Sequence, residues 1–328
     1  MTPVKWVYSF LEKYRYKMAA GLLMVTGIAL LTIVNPYISG RIVDDVITGG
    51  NYKLLPVLIG CLLGVVALKG ILRYASQVMF EICSQGVLYS MRDAVYRKLL
   101  QEDFSFYNKN RTGDLMSRQT GDMDAIRHFI AYIIYSVYEN ILLLSFALIM
   151  IFTVNVKLAL AMLVVLPFTA LTTYGQSKSV RPAFMKIRQQ FSSLNTFVQE
   201  NISGNRVVKA FAREDFEIEK FNKENDAYRD AELNAAAIWK KYVPIFEFLS
   251  NILTVVLMLY GGYMVIQGEI TMGNLVTVNG YLWMLTVPLR MAGWWINDIH
   301  RFTTSAEKIY TTYSQEPEIQ EPQQPIVR

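Results

Sequence analysis

Histidine and cysteine are almost missing from this sequence, with two of each in 328 residues. His128 and His300 have no cysteine or acidic cluster at ligand spacing around them, so a metal site is not expected. Cys61 and Cys83 fall in one apolar stretch and its extension. On a continuous helix they would stand roughly 33 Å apart at 1.5 Å per residue, too far to bridge. No arrangement resembles a nucleophilic triad. The pattern G-x-x-x-x-G-K-[ST] is missing, and with it the loop whose backbone N–H groups would cradle phosphates. Charge is scarce as well: 18% of residues are charged against 53% hydrophobic. That balance excludes an ordinary soluble domain.

What is present is long apolar runs. Six stretches are charge-free or nearly so: Met18–Gly40, Leu54–Leu68, Asn140–Val156, Leu158–Ser177, Phe248–Gly268 and Ile270–Leu289. Each approaches the length that crosses a ~30 Å hydrocarbon core. With their helical flanks they predict spans at about 18–40, 54–80, 131–156, 158–177, 243–268 and 270–297. Met18–Gly40 exceeds a signal h-region of about 7–15 residues, and no small-x-small cleavage site follows it. Lysine and arginine set the orientation. The first 17 residues, 81–130, 176–241 and the tail after His300 together hold 26 of the 32, while the opposite connections hold three. Both termini are therefore expected in the cytoplasm, in a multi-pass protein of the cell (inner) membrane. The net charge of +5 then reflects topology, and no nucleic-acid partner is needed to explain it.

The connections are lopsided. Outside, the turns are short; inside, two connections run for tens of residues, too long to be structureless. Leu88, Met91, Val95 and Leu99 recur at helical steps, as do Ile187, Phe191, Leu194, Val198 and Ile202. The economical reading is that spans 2–3 and 4–5 continue as helices into the cytoplasm and reverse there; two separate cytoplasmic helical hairpins are the alternative. "FYNKNRTGDLMSR" from Phe106 and "VVKAFARED" from Val207 mark the reversals, each expected to expose an aromatic residue among polar ones. Residues 1–17 mix aromatics with cations and suggest an interfacial helix. Residues 314–328 read as a linker rich in proline and glutamine. Gly60 and Gly64 form a G-x-x-x-G that could pack closely against another helix.

Four pieces, in order, carry a family resemblance: "FYNKNRTGDLMSR" with "DMDAIR" soon after, "ISGNRVVKAFARE", "LYGGYMVIQGEITMGNLV" and "AEKIY". With six spans and two long cytoplasmic excursions, the chain resembles the transmembrane domain of ATP-binding-cassette (ABC) exporters of the multidrug and lipid-flippase type. The resemblance implies an all-α membrane protein whose two cytoplasmic extensions end in coupling helices, in a swapped dimer. By position the first coupling helix is Phe106, Tyr107, Asn108, Lys109, Asn110 and Arg111. The second is Ala210, Phe211, Ala212, Arg213, Glu214 and Asp215. The implied partners are a second transmembrane subunit, identical or related, nucleotide-binding domains, membrane lipids and a small-molecule or lipid cargo. No cofactor is expected on this chain; ATP and Mg2+ would sit on the nucleotide-binding domain, which is expected on a longer form of the chain or on a separate polypeptide.

Ionisable residues inside spans are costly and so are functional candidates. Lys69 and Arg73 share a helical face with Gln77, and Glu139 and Arg290 enter at a comparable depth. They predict a water-filled cavity with a cationic rim that favours anionic or amphipathic cargo, or else charges that pair with one another or snorkel to the headgroups. Tyr281, Trp283 and Met284 offer adaptable apolar surface for cargo, or helix packing. Pro167 and Pro288 could kink spans 4 and 6. Two other classes remain: a membrane scaffold whose cytoplasmic helices bind a partner, and an ion-gradient-driven carrier, for which the expected inverted repeats are not evident.

Overall fold

The computed structural model describes residues 2–317, so most of the expected linker at 314–328 lies outside the described residues. All regular structure among them is helical. Helix α1 (Pro3–Leu11) leads through a short turn into α2 (Arg15–Arg41), and a π-helical segment, Ile42–Thr48, closes the first crossing. Helix α3 (Leu55–Gln101) is followed by the short helices α4 (Phe104–Lys109), α5 (Thr112–Ser117) and α6 (Met123–His128), and then by α7 (Ile134–Val154). Helices α8 (Val156–Leu163), α9 (Val165–Ala210), α10 (Glu214–Val256), α11 (Gly262–Ile266) and α12 (Met272–Ser314) complete the chain.

At 47, 46 and 43 residues, α3, α9 and α10 reach about 65–70 Å each at 1.5 Å per residue. That is twice what a bilayer core absorbs, so the spans continue as helical arms. Five helical stretches are long and apolar enough to cross a membrane: Pro3–Thr48, Tyr52–Gln101, Thr112–Val154, Val156–Ala210 and Glu214–Ile266. The sixth expected span lies in α12, which is continuous over 43 residues. Asn274, Asn279 and Arg290 dilute its apolar run, so α12 does not join those five on composition. Pro167 sits at the start of α9, just after the break at Val164, where its missing N–H leaves a helix hydrogen bond unmade. Pro288 lies inside unbroken α12.

The chain divides into two compact units: one runs to Ala159 and resumes at Tyr260, the other is Leu160–Leu259. In the first, α2, α3, α7 and α12 pack together. A core of Val25, Phe80, Val87, Met91, Val95, Met123, Ile126 and Ile309 fills the half that carries α6. The predicted stripe Leu88, Met91 and Val95 is buried there. The expected interfacial helix ends at Leu11, and its Trp6 is only 4% exposed. The Trp6 ring lies 4.9 Å from that of Tyr313 and 5.9 Å from that of Tyr310, so α1 is anchored to the end of α12 as well as suited to an interface. Polar contacts grip the same end: Ser305 donates to Asp122 at 2.8 Å, Arg118 donates to Thr312, and Phe129 stacks on Phe302 at 4.0 Å.

At the opposite ends of α2 and α12 the backbones nearly touch. A Cβ on Gly273 would collide with the Gly40 carbonyl and the Asp44 carboxylate. That carboxylate accepts from the Gly273 N–H at 2.7 Å and from the Thr271 hydroxyl, satisfying donors at the start of α12. Gly60 and Gly64, by contrast, have nothing within 4 Å among the described residues, so the expected close-packing face is unused among them. The second unit is the antiparallel pair α9 and α10. Tyr242 fits against Gly175 and lies 3.2 Å from the Ser179 hydroxyl.

Candidate tips and intramembrane site

The first tip is built by a cap. Asp103 accepts from the Phe106 N–H at 3.0 Å and starts the one-and-a-half-turn helix α4. This register turns Phe106 inward, 2% exposed, and Phe104 outward, 89% exposed. Phe106, the first aromatic of the quoted stretch, is therefore not the exposed one: Tyr107 is 43% exposed and Phe104, just before the stretch, is the barest ring, a register set by the capping Asp103. Tyr107 donates to the Leu99 carbonyl at 2.7 Å and lies edge-on to Phe106. Asn110 bonds back to the Phe106 carbonyl. Asn108 and Lys109 ride on α4 or just at its end, and Asn110 and Arg111 are extended linkers to α5.

The second tip is a tight reversal of three residues, Phe211–Arg213, between α9 and α10. The expected separate helix over Ala210–Asp215 does not form: Ala210 ends one long helix, and Glu214 and Asp215 begin the next. Ala212 adopts φ +49. Its N–H reaches the Lys209 carbonyl at 3.3 Å, and the Arg213 N–H reaches the Val208 carbonyl at 3.1 Å, the Schellman pattern with alanine where glycine usually sits. Lys209 and Glu214 pair at 3.0 Å across the turn. The Glu214 carboxyl is held below the usual range, chiefly by its own backbone N–H and then by Lys209. Phe211 is 74% exposed.

Among the intramembrane candidates the structure brings one group together. Arg73 donates through both terminal nitrogens to both oxygens of Glu139, at 2.6 and 2.5 Å. Lys69 lies within electrostatic reach of both. Gln77, one turn on from Arg73, lines a groove of about 450 Å³ with Tyr74, Glu81, Arg127, Tyr132 and Tyr135. At its mouth Arg127 donates to Glu81 at 3.2 Å and to Asp124 at 2.8 Å, and that bond from Arg127 holds the Asp124 carboxyl below its usual range. Sequence reasoning set His128 aside as a metal ligand; its ring stacks on Tyr132 within this groove.

The α12 candidates separate. Tyr281 is fully buried and donates to the Ile33 carbonyl at 3.0 Å, and Met284 is 1% exposed. Both serve helix packing instead of facing an open cavity. Trp283 and Arg290 are exposed, and Arg290 has no ion-pair or hydrogen-bond partner among the described residues.

Residues 18–289 match the family model described as the ABC transporter transmembrane region. The uncharacterized ABC transporter ATP-binding protein YknU of Bacillus subtilis is 36% identical over 93% of this chain and 52% of its own length. An ATP-dependent lipid A-core flippase of Syntrophus aciditrophicus is 26% identical over 93% of this chain and 50% of its own. The multidrug resistance-like ATP-binding protein MdlA of Escherichia coli is 26% identical over 96% of this chain and 53% of its own. The chain thus spans about half the length of the curated relatives it matches. The match to the family model covers most of the chain and shows the family: the chain belongs to the ABC transporter transmembrane region family.

Proposed function

We propose that this chain is the translocation part of an ATP-driven exporter. It would cross the membrane six times with both termini in the cytoplasm, act as a dimer, and move hydrophobic or amphipathic compounds outward by alternating access. The single observation that carries the reading is the second tip. A bare phenylalanine stands on an internally hydrogen-bonded turn at the end of two helices of more than forty residues. Such a lever transmits force only if something grips its end, and an apolar anchor among charges suits a groove on a nucleotide-binding domain. ATP and Mg2+ would act there, favouring one of two packings of the membrane helices. The names of the relatives, a lipid A-core flippase and multidrug resistance-like proteins, support an amphipathic cargo. Lys69 and Arg290 would bias that cargo toward anions, with the Arg73–Glu139 pair holding α3 to α7 beside the route.

The test is Phe211→Ser and, separately, Phe104→Ser in a complete transporter carrying its ATPase. Cargo-stimulated ATP hydrolysis is expected to fall about tenfold or more, since truncating an apolar anchor costs about 2 kcal/mol. Helicity and dimer mass should be unchanged, because both rings are exposed. Full stimulation in both variants would remove the tips from any coupling role.

A further inference from the structure

We propose that the α9–α10 arm carries a binding collar for anionic phospholipid headgroups, formed by Lys178, Arg181, Lys240 and Lys241 and flanked by Tyr174 and Trp239. The charge distribution along the arm points to it. From Leu158 to Gln199 the chain holds Lys178, Arg181, Lys186 and Arg188 and no acid; from Leu233 to Phe246 it holds Lys240 and Lys241 and no acid. All six cations are exposed. The ion pairs of this unit all lie nearer the tip: Lys209–Glu214, Lys220–Glu217, and Arg229 with Asp226 and Asp230. The arm is neutralised toward its tip and left positive at the other end.

Four of the six cations share one level, with Lys186 and Arg188 further toward the tip. Ser179 and Tyr242 meet at 3.2 Å, which sets Lys178 and Arg181 on α9 at the same height as Lys240 and Lys241 on α10, spread around the helix pair by the 3.6-residue turn. The level is also the right depth. The apolar run Leu158–Ser177 uses up a ~30 Å hydrocarbon core at 1.5 Å per residue, so Lys178 emerges among the headgroups. Tyr174 at 70% and Trp239 at 36% exposure are side chains that favour that boundary. From Arg181 an open groove of about 1270 Å³ runs down α9 past Met185 and Lys186; its cationic end gives room for a glycerophosphate, while Glu200 and Glu224 line the end toward the tip. Cations at a lipid surface attract anionic headgroups, and the attraction falls off within a Debye length. A protein partner would leave the aromatic girdle unexplained. Which leaflet is contacted rests on the orientation proposed above; the lipid preference itself does not.

The full chain is placed in nanodiscs of phosphatidylglycerol and phosphatidylcholine, and retained lipids are weighed by native mass spectrometry. Phosphatidylglycerol is expected to be enriched about tenfold over its bulk share, falling toward parity at about 0.5 M salt, where the Debye length shrinks to a few Å. The variant K178Q/R181Q/K240Q/K241Q should lose the enrichment, K178R/K240R/K241R should keep it, and K209Q/K220Q/R229Q should leave it unchanged. No enrichment in the native chain, or enrichment that survives the fourfold neutralisation, overturns the collar. Displacement of the lipid by millimolar glycerol phosphate would overturn the lipid assignment in favour of a soluble phosphate ester. Because the readout uses neither ATP nor sidedness, its failure leaves the exporter reading standing, and the reverse also holds.

Discussion

A guanidinium and a carboxylate facing each other across two membrane helices are worth most when neither can find water. The Glu139 side chain is 9% exposed and that of Arg73 33%, so removing one partner strands a charge that solvent reaches only in part. Arg73→Met and Glu139→Gln are each expected to cost about 2 kcal/mol, the low side of the buried-pair range because Arg73 is partly open. The double variant should recover a good part of that loss, read as the coupling term of a double-mutant cycle in detergent unfolding. Additive losses would show that the two charges act independently. Both residues were legible in the sequence as costly intramembrane charges. Their mutual pairing was one of two open alternatives, because a helix-face argument places a residue on its own helix without saying which neighbour faces it.

Among the elements, the turn at the second tip holds an unspent gain. Ala212 sits at φ +49, where a Cβ costs an L-residue roughly 1–2 kcal/mol and glycine is free. Ala212→Gly preserves both turn hydrogen bonds and should stabilise the α9–α10 pair by about 1 kcal/mol, seen as a higher denaturation midpoint with unchanged helicity. A lower midpoint would mean that the strain is relieved by contacts of the methyl group. The arms themselves were readable in advance: Leu88, Met91 and Val95 are buried as their spacing predicts. The second stripe is covered only in part: Ile187, Leu194 and Val198 are half-buried, while Phe191 is 49% and Ile202 73% exposed. Periodicity reports that a face is apolar; whether the same chain covers it depends on how many elements lie beside it, and α9 has chiefly α10.

For the molecule as a whole, the ends of α2 and α12 are drawn together where Gly40 and Gly273 let two backbones meet and Asp44 caps the second helix. Gly273→Ala should force them apart and lower stability by about 2 kcal/mol, as overpacking against backbone does. A cysteine placed at Thr277, whose hydroxyl bonds the Pro36 carbonyl at 3.3 Å, should then react faster with a thiol reagent than in the glycine form. Equal reactivity and an unchanged midpoint would show that the closure has slack. Lys157 and Glu269, 3.2 Å apart, join two further connections on this side of the same unit.

The sequence by itself determined that the chain carries helices long and apolar enough for a membrane, near which residues the long arms reverse and which family it joins, because apolar run length and turn chemistry are local properties written along the chain. Only the tertiary structure decided that Phe104 and not Phe106 is the bare ring, that Tyr281 and Met284 are packing residues, and that Arg73 is answered by Glu139. Those outcomes depend on which helix stands opposite, and a helix presents four or five directions to its surroundings while a sequence names only their order.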